Sequence, residues 1–369
     1  MQTILYVVPS LSQCGPINVL YNLVSHLDRS RFCSVIVALS DNRFSSRSRQ
    51  REFENLDVEV HNYEYSKWQC QLHTGFIAKR IDKEFDDASI VMHAHGYYPT
   101  MILSHLYSRH TMTTIHNICD EDFRMSKGRW LGGYMSWRYK KALRKIKTCV
   151  TISDYMRMYY GKDKNLNLHT VYNGVEIPSA AYFANRSEAR NRLGIKPGTF
   201  VLFYPAAFTQ GKNHSYLISE VLERPDLPVM LVFAGSGVAE DDCRRQAATD
   251  KRIRFLGFQM NLDDWWLAAD ALVSPSVSEG MPMAVLEAVV RGLPCLLSTI
   301  PPHLEIAQNV FGTKEWCFDT NRKGALGSLI AKAAKTKFEK ENIAAQAALH
   351  YGAEVMCRGY EELYSHCGK

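Results

Sequence analysis

The stretch SEGMPMAVLEAVVRG (278–292) lies between two apolar runs, ALVSPS (271–276) and PCLLST (294–299). It sets Glu279 just before Gly-Met-Pro and Glu287 eight positions later. Proline suits the first turn of a helix, where its missing N–H costs nothing. Pro282 therefore predicts a helix start, with the helix running to about Arg291 and capped by Gly292. Glu279 then sits on the loop at the carboxyl end of a strand. The N–H groups of Gly280, Met281 and Met283 point out from the helix start and attract an anion such as phosphate. That leaves Glu279 for a neutral part of the same ligand, such as sugar hydroxyls, and Glu287 for a diol such as ribose. A plainer arrangement also fits, with Glu279 a partner of the helix dipole and Glu287 a solvated helix residue. The spacing alone does not separate the two.

Outward from this stretch, strands and helices alternate. TILYVV (3–8), CSVIVALS (33–40), SIVMHAH (89–95), TMTTIH (111–116) and TCVTIS (148–153) read as strands. The pattern restarts with FVLFYPA (200–206), VMLVFAG (229–235), IRFLGF (253–258) and the two runs already quoted. Short β-branched and aromatic runs separated by amphipathic stretches imply parallel sheets built from βαβ units. Two such series predict two doubly wound α/β domains, joined near YNGVEIPSAAYF (172–183), where Gly174 and Pro178 punctuate the chain. The expected boundaries are 1–178, 179–352 and a terminal helix, 353–369. Ligands of open parallel sheets bind outside the carboxyl ends of the strands, so the residues just after strands carry the interest, at a cleft between the two domains.

Composition agrees with this reading. A chain of 369 residues exceeds one ordinary core. It is 46% hydrophobic and 22% charged, which is globular rather than disordered. No apolar run approaches a bilayer span, and MQTILYVVPS lacks the basic start of a signal peptide. Ten cysteines without a C-x-x-C pair indicate neither a zinc site nor a disulfide framework. The net charge of +6 is uneven. Residues 1–178 hold 23 Lys+Arg against 17 Asp+Glu, and the remainder is balanced at 21 each. Most of the excess lies in Arg124–Lys147, with nine basic residues and no acidic one.

E-G-x-P-x-x-x-x-E, placed after one strand and before a G-x-P strand (RGLPCLLST, 291–299), resembles the E-x7-E signature of retaining glycosyltransferases of the GT-B fold, family 4. Further matches follow in family order over nearly the whole chain: CGPINVLYNL (14–23), HAHG (93–96), TIHN (114–117), VTIS (150–153), VYNGVE (171–176), GKN (211–213), FAGSG (233–237) and FLG (255–257). The resemblance implies two Rossmann-like domains facing a central cleft. Glu279 would hold the donor sugar near the reacting carbon and Glu287 the ribose of the sugar nucleotide. Lys212 would contact the diphosphate and offset charge on the leaving group. Gly15 would let backbone approach the donor, and His116, ending a strand, would touch the donor sugar. Gly280, Met281, Pro282 and Met283 complete the donor-binding set, with no cofactor and no metal. The family usually carries an arginine about five residues before the lysine. PAAFTQGKN (205–213) has Ala206 and Ala207 instead, which removes a bidentate partner for the diphosphate.

Other features compete with this reading. AGSGVAE (234–240) has G-x-G after a strand but no third glycine at dinucleotide spacing. Asp120, Glu121 and Asp122 in CDEDF (119–123) look like a metal-binding D-x-D in a polar loop, against the two-domain pattern. His93 and His95 share a strand face, without a carboxylate or cysteine nearby in sequence. The stretch FRMSKGRWLGGYMSWRYKKALRKIK (123–147) interleaves aromatics with cations. Arg129, Trp130, Arg138, Lys140, Lys141 and Arg144 on such a helix suit an anionic membrane surface or a lipid-linked acceptor rather than nucleic acid. A solvated helix with half-buried aromatics fits the same residues.

The expectation is a cytoplasmic, metal-independent, retaining glycosyltransferase, peripheral on the inner face of a bacterial inner membrane. It would move a hexose or N-acetylhexosamine from a nucleotide diphosphate sugar, UDP-sugars foremost, to a hydroxyl of a lipid-linked or lipopolysaccharide-type glycan. Because the sequence places no nucleophile, a same-face mechanism is favoured. The alternatives are a non-catalytic sugar-nucleotide-binding partner and a GT-B sugar-nucleotide epimerase.

Overall fold

The computed structural model describes residues 1–179, 182 and 185–367. The junction read at 172–183 therefore includes residues 180, 181 and 183 outside the described set, as are the last two residues of the terminal segment. The chain divides into two compact units. One comprises Met1–Gly174 with Ala353–Lys369, the other Val175–Gly352.

Among the described residues, the first unit holds strands β1 (Gln2–Val8), β2 (Phe32–Ala38), β3 (Glu59–Asn62), β4 (Val91–His95), β5 (His110–Ile115), β6 (Thr148–Thr151) and β7 (Leu168–Thr170). They form one sheet in the order β3-β2-β1-β4-β5-β6-β7, with every pairing parallel. The order reverses between β1 and β4, so the crevice of this sheet opens at their carboxyl ends. Ile4–Val8 of β1 are wholly buried. A central strand covered on both faces reads as a continuous apolar run, and TILYVV does so.

The terminal helix Ala353–Cys367 belongs to this unit. Its apolar stripe, Met356, Tyr360 and Tyr364, is buried. The Tyr360 hydroxyl meets Thr114 Oγ1 at 2.7 Å, and the Tyr364 hydroxyl meets His93 Nδ1 at 2.7 Å. The helix therefore closes the sheet with hydrogen bonds as well as apolar contact.

The second unit holds β8 (Phe200–Pro205), β9 (Val229–Ala234), β10 (Ile253–Phe255), β11 (Ala271–Ser274), β12 (Cys295–Ser298) and β13 (Cys317–Phe318). Their order is β10-β9-β8-β11-β12-β13, again parallel throughout, and it reverses between β8 and β11. The core is built on this sheet from Leu202, Tyr204, Leu231, Phe233, Val273 and Leu296 with their helical cover.

The G-x-G of AGSGVAE has a packing reason. A Cβ on Gly235 would stand 2.1 Å from the carbonyl oxygen of Ala206, and one on Gly237 would stand 2.4 Å from that of Phe208. Their absence lets the segment after β9 run beside the segment after β8, where Ala206 N–H donates to Ala234 O and Phe208 N–H to Ser236 O. The glycines thus steer the chain that leads to Lys212.

Candidate active site

In the second unit, the loops after β8 and β11 meet at the reversal of strand order. The first loop ends in a 3-10 turn, Gln210–Lys212, and Asn213 follows in the left-handed region at φ 52°, a conformation asparagine tolerates better than most residues. Two bonds tie the loops together, and a third holds the first loop to β8. Val277 N–H donates to Gly211 O at 2.9 Å. The Asn213 amide reaches Pro275 O at 3.4 Å, and the Tyr204 hydroxyl donates to Lys212 O at 3.0 Å. Lys212 and Glu279 are thereby brought together as an ion pair, Nζ to Oε1. Glu279 Oε1 also accepts from Ser276 Oγ at 2.7 Å. The Glu279 side chain is 12% exposed and that of Lys212 29%. One carboxylate and one ammonium thus stand at the carboxyl edge of a parallel sheet with solvent on one side.

The helix after Glu279 differs from its sequence reading. It spans Met283–Val289, and Pro282 is its N-cap with φ −77° and ψ 101°, not a residue of the first turn. Gly280 and Met281 therefore lie in the buried approach to the helix. At the other end Gly292, at φ 68°, turns the chain as expected. Glu287 is not a solvated residue. It keeps part of its surface open, but its packing is dense enough that burial pushes its carboxyl above the ordinary range, opposed by Arg291 one turn on.

The sequence reading missed the layer beneath Glu279. Ser276 Oγ lies 3.0 Å from the Tyr204 hydroxyl and 3.2 Å from Ser274 Oγ. Ser298 Oγ donates to Ser276 O at 2.5 Å and meets His303 Nδ1 at 2.9 Å. All five residues are buried, and His303 completely. The available signal was three serines, 274, 276 and 298, ending strands that are otherwise apolar.

In the first unit, Gly15 opens the helix Gly15–His26 that follows β1, and His116 follows β5. His116 Nε2 meets His95 Nδ1 at 3.1 Å. Burial lowers the His116 imidazole to about 4 and carries His95 well below its usual value, so both are neutral at pH 7. Nε2 of His95 is buried without a hydrogen-bond partner among the described residues. Both ring nitrogens of His93 are occupied, by the Tyr364 hydroxyl and by Thr114 Oγ1 at 2.8 Å.

The acidic triplet is helical rather than a polar loop. It lies in the first turn of Cys119–Lys127, where carboxylates favour the helix dipole. Asp120 binds Ser136, Lys140 and Tyr159. Lys140 is thus tied to Asp120, and Arg144 pairs with Asp163 at 2.7 Å. Two further cations of the basic stretch sit over rings, Arg138 over Tyr134 and Lys141 over Trp137. Trp130 is 88% exposed and Trp137 59%. Arg129 is exposed as well.

Two family models match the chain: Glycosyltransferase Family 4 over residues 15–177 and Glycosyl transferases group 1 over residues 185–350. The Escherichia coli UDP-Gal:alpha-D-GlcNAc-diphosphoundecaprenol alpha-1,3-galactosyltransferase is 30% identical over 155 residues, 40% of each chain. The match thus spans well under half of that relative's length. The Escherichia coli O-antigen biosynthesis glycosyltransferase WclY is 23% identical over 98% of both chains. Among solved structures, Anabaena HepE in complex with UDP and glucose superposes with a TM-score of 0.78 at 16% identity, over 99% of this chain and 100% of that one. Sucrose-phosphate synthase from Thermosynechococcus elongatus gives 0.79 at 14% identity, over 99% of both chains. With its two parallel sheets and the two family matches side by side, the chain belongs to the GT-B glycosyltransferases of the group 1 and family 4 type.

Proposed function

We propose that this protein is a retaining glycosyltransferase. It moves a hexose or N-acetylhexosamine from a UDP-sugar to a hydroxyl of a lipid-linked or lipopolysaccharide-type glycan, without a metal. The observation that carries the reading is the Lys212–Glu279 pair at the strand-order reversal of the second sheet, with the half-buried Glu287 eight residues on. The named relatives support donor and acceptor class: one uses UDP-galactose on a diphosphoundecaprenol-linked sugar, another acts in O-antigen biosynthesis.

In this reading the Lys212 ammonium turns from Glu279 toward the diphosphate and offsets the charge that develops as the bond between the anomeric carbon and the phosphate oxygen breaks. Glu279 holds sugar hydroxyls and Glu287 the ribose diol. Gly280, Met281, Pro282 and Met283 line the donor site of the second unit. The acceptor oxygen bonds to the anomeric carbon from the face the diphosphate leaves, and its proton passes to the departing phosphate oxygen. In this reading Arg129, Trp130, Arg138 and Lys141 present cations and rings to an anionic membrane surface or lipid diphosphate, and the enzyme works at the cytoplasmic face of a membrane. Among the described residues no helix is long and apolar enough to cross one.

Ala207 favours a second reading, a non-catalytic sugar-nucleotide-binding partner, because it removes a bidentate diphosphate contact. The separating experiment incubates the protein with a panel of sugar nucleotides in EDTA and follows donor loss and product anomer. Slow release of nucleoside diphosphate from one donor, with retained configuration, is expected. Binding without release supports the partner reading, and neither binding nor release across the panel contradicts both.

A further inference from the structure

We propose that His303 is a positioning residue for Glu279, acting through Ser298 and Ser276. The inference rests on the reading of Glu279 as the donor-site carboxylate.

The direction of each hydrogen bond follows from which groups can only accept. His303 Nδ1 lies 2.9 Å from Ser298 Oγ and 3.1 Å from Ser298 O. A carbonyl only accepts, so Nδ1 carries the hydrogen. Ser298 Oγ lies 2.5 Å from Ser276 O, again a carbonyl, so the Ser298 proton goes there and its lone pair faces His303. Ser276 Oγ faces Glu279 Oε1 at 2.7 Å, and a carboxylate takes the Ser276 proton. The Tyr204 proton is taken by Lys212 O, so the Ser276 oxygen is left to accept from Ser274. One tautomer of one imidazole thus fixes the chain His303 → Ser298 → Ser276 backbone, with the Ser276 hydroxyl aimed at Glu279.

His303 is suited to this task. It is wholly buried near the start of the helix Pro301–Phe311, and its Nε2 faces Ser274 Oγ at 3.4 Å. Burial lowers its imidazole to about 4, against the opposing pull of Glu279. A neutral ring keeps the Nδ1–H tautomer across the working range. Buried groups that orient a site residue act through sub-ångström placement, and a misplacement of about 1 Å can cost about 100-fold in rate.

The test uses the full chain and three variants, His303→Leu, His303→Asn and Ser298→Ala. Asparagine keeps an N–H close to the Nδ1 position, whereas leucine fills the space without a donor. Crystal structures read the placement directly. The 2.7 Å contact between Ser276 and Glu279 is expected to break in His303→Leu and Ser298→Ala and to persist in His303→Asn. Kinetics with UDP-glucose, UDP-galactose, UDP-N-acetylglucosamine and GDP-mannose read the consequence. The kcat for nucleoside diphosphate release is expected to fall by about 10- to 100-fold in the first two variants, at nearly constant donor KM, and to recover in His303→Asn. An unbroken contact in His303→Leu, an unchanged kcat, or a loss that falls on KM alone overturns the proposal. Should the parent turn over none of the four donors, the glycosyltransferase reading fails, and the crystal contact still decides whether His303 places Glu279.

Discussion

Glu279 and Glu287 differ in surroundings more than their shared motif suggests. Glu279 is held by an ammonium and a serine hydroxyl. Among the described residues Glu287 has only Arg291 to offset burial, and its carboxyl rises. Glu287→Ala is therefore expected to weaken donor binding with little effect on kcat, raising KM by roughly 10-fold for loss of a hydrogen bond to a polar ligand group. Donor titrations at fixed acceptor measure this, and a fall in kcat at constant KM contradicts the ribose role. The Glu279–Glu287 spacing was legible because proline and glycine fix where the helix begins and ends. His303 was not, because a lone histidine in PPHLEIA carries no period or motif. Its meaning depends on Ser276, 27 positions earlier in sequence, and only the fold brings the two together.

At the scale of elements, the runs read as strands are strands, and those that escaped are the edges. EVHN (β3), LHT (β7) and CF (β13) are short, and the first two are largely polar. Edge strands bury little, so the sequence needs no apolar run there. The pair of helices Cys119–Lys127 and Arg129–Leu143 was half legible. Its basic and aromatic surface shows in the sequence, but its internal clamp does not. Gly132 lets the helices touch, since a Cβ there would lie 2.3 Å from Phe123 O. Asp120 then gathers Ser136, Lys140 and Tyr159. Burial alone would raise the Asp120 carboxyl, yet these bonds outweigh it and leave it at about 2. Asp120→Ala is expected to cost about 2 kcal/mol at pH 7, read from urea unfolding of the parent and the variant. An unchanged midpoint would remove the clamp from the account. Because the Asp120 value is depressed on folding, its contribution is complete above about pH 4 and lost as the pH falls toward 2.

For the whole molecule, alternation of strand and helix was enough to give two parallel sheets, and the order of short motifs gave the family. What it could not give is which polar groups each sheet buries. Each unit carries neutral histidines: His93 at about 3 and His116 at about 4 in the first, His214 at about 3 and His303 at about 4 in the second. Burial is the leading cause in each. In the unfolded chain these rings take up protons near 6.5, and in the folded chain only near 3 to 4. The unfolded state therefore binds more protons between those limits. Stability is expected to be full above about pH 6.5 and to fall as the pH drops toward 4, by up to about 1.4 kcal/mol per pH unit for each such ring. Urea midpoints at pH 7, 6, 5 and 4.5 measure the slope, and a flat profile contradicts the neutral assignments.

The central claim is that the Lys212–Glu279 edge of the second sheet is the donor site of a glycosyltransferase. The most direct measurement is nucleoside diphosphate release from the sugar-nucleotide panel by the parent and by Glu279→Ala, with nucleotide binding followed in parallel. The account predicts release by the parent from one donor and loss of that release in Glu279→Ala, while the nucleotide still binds. A Glu279→Ala protein as active as the parent would contradict it.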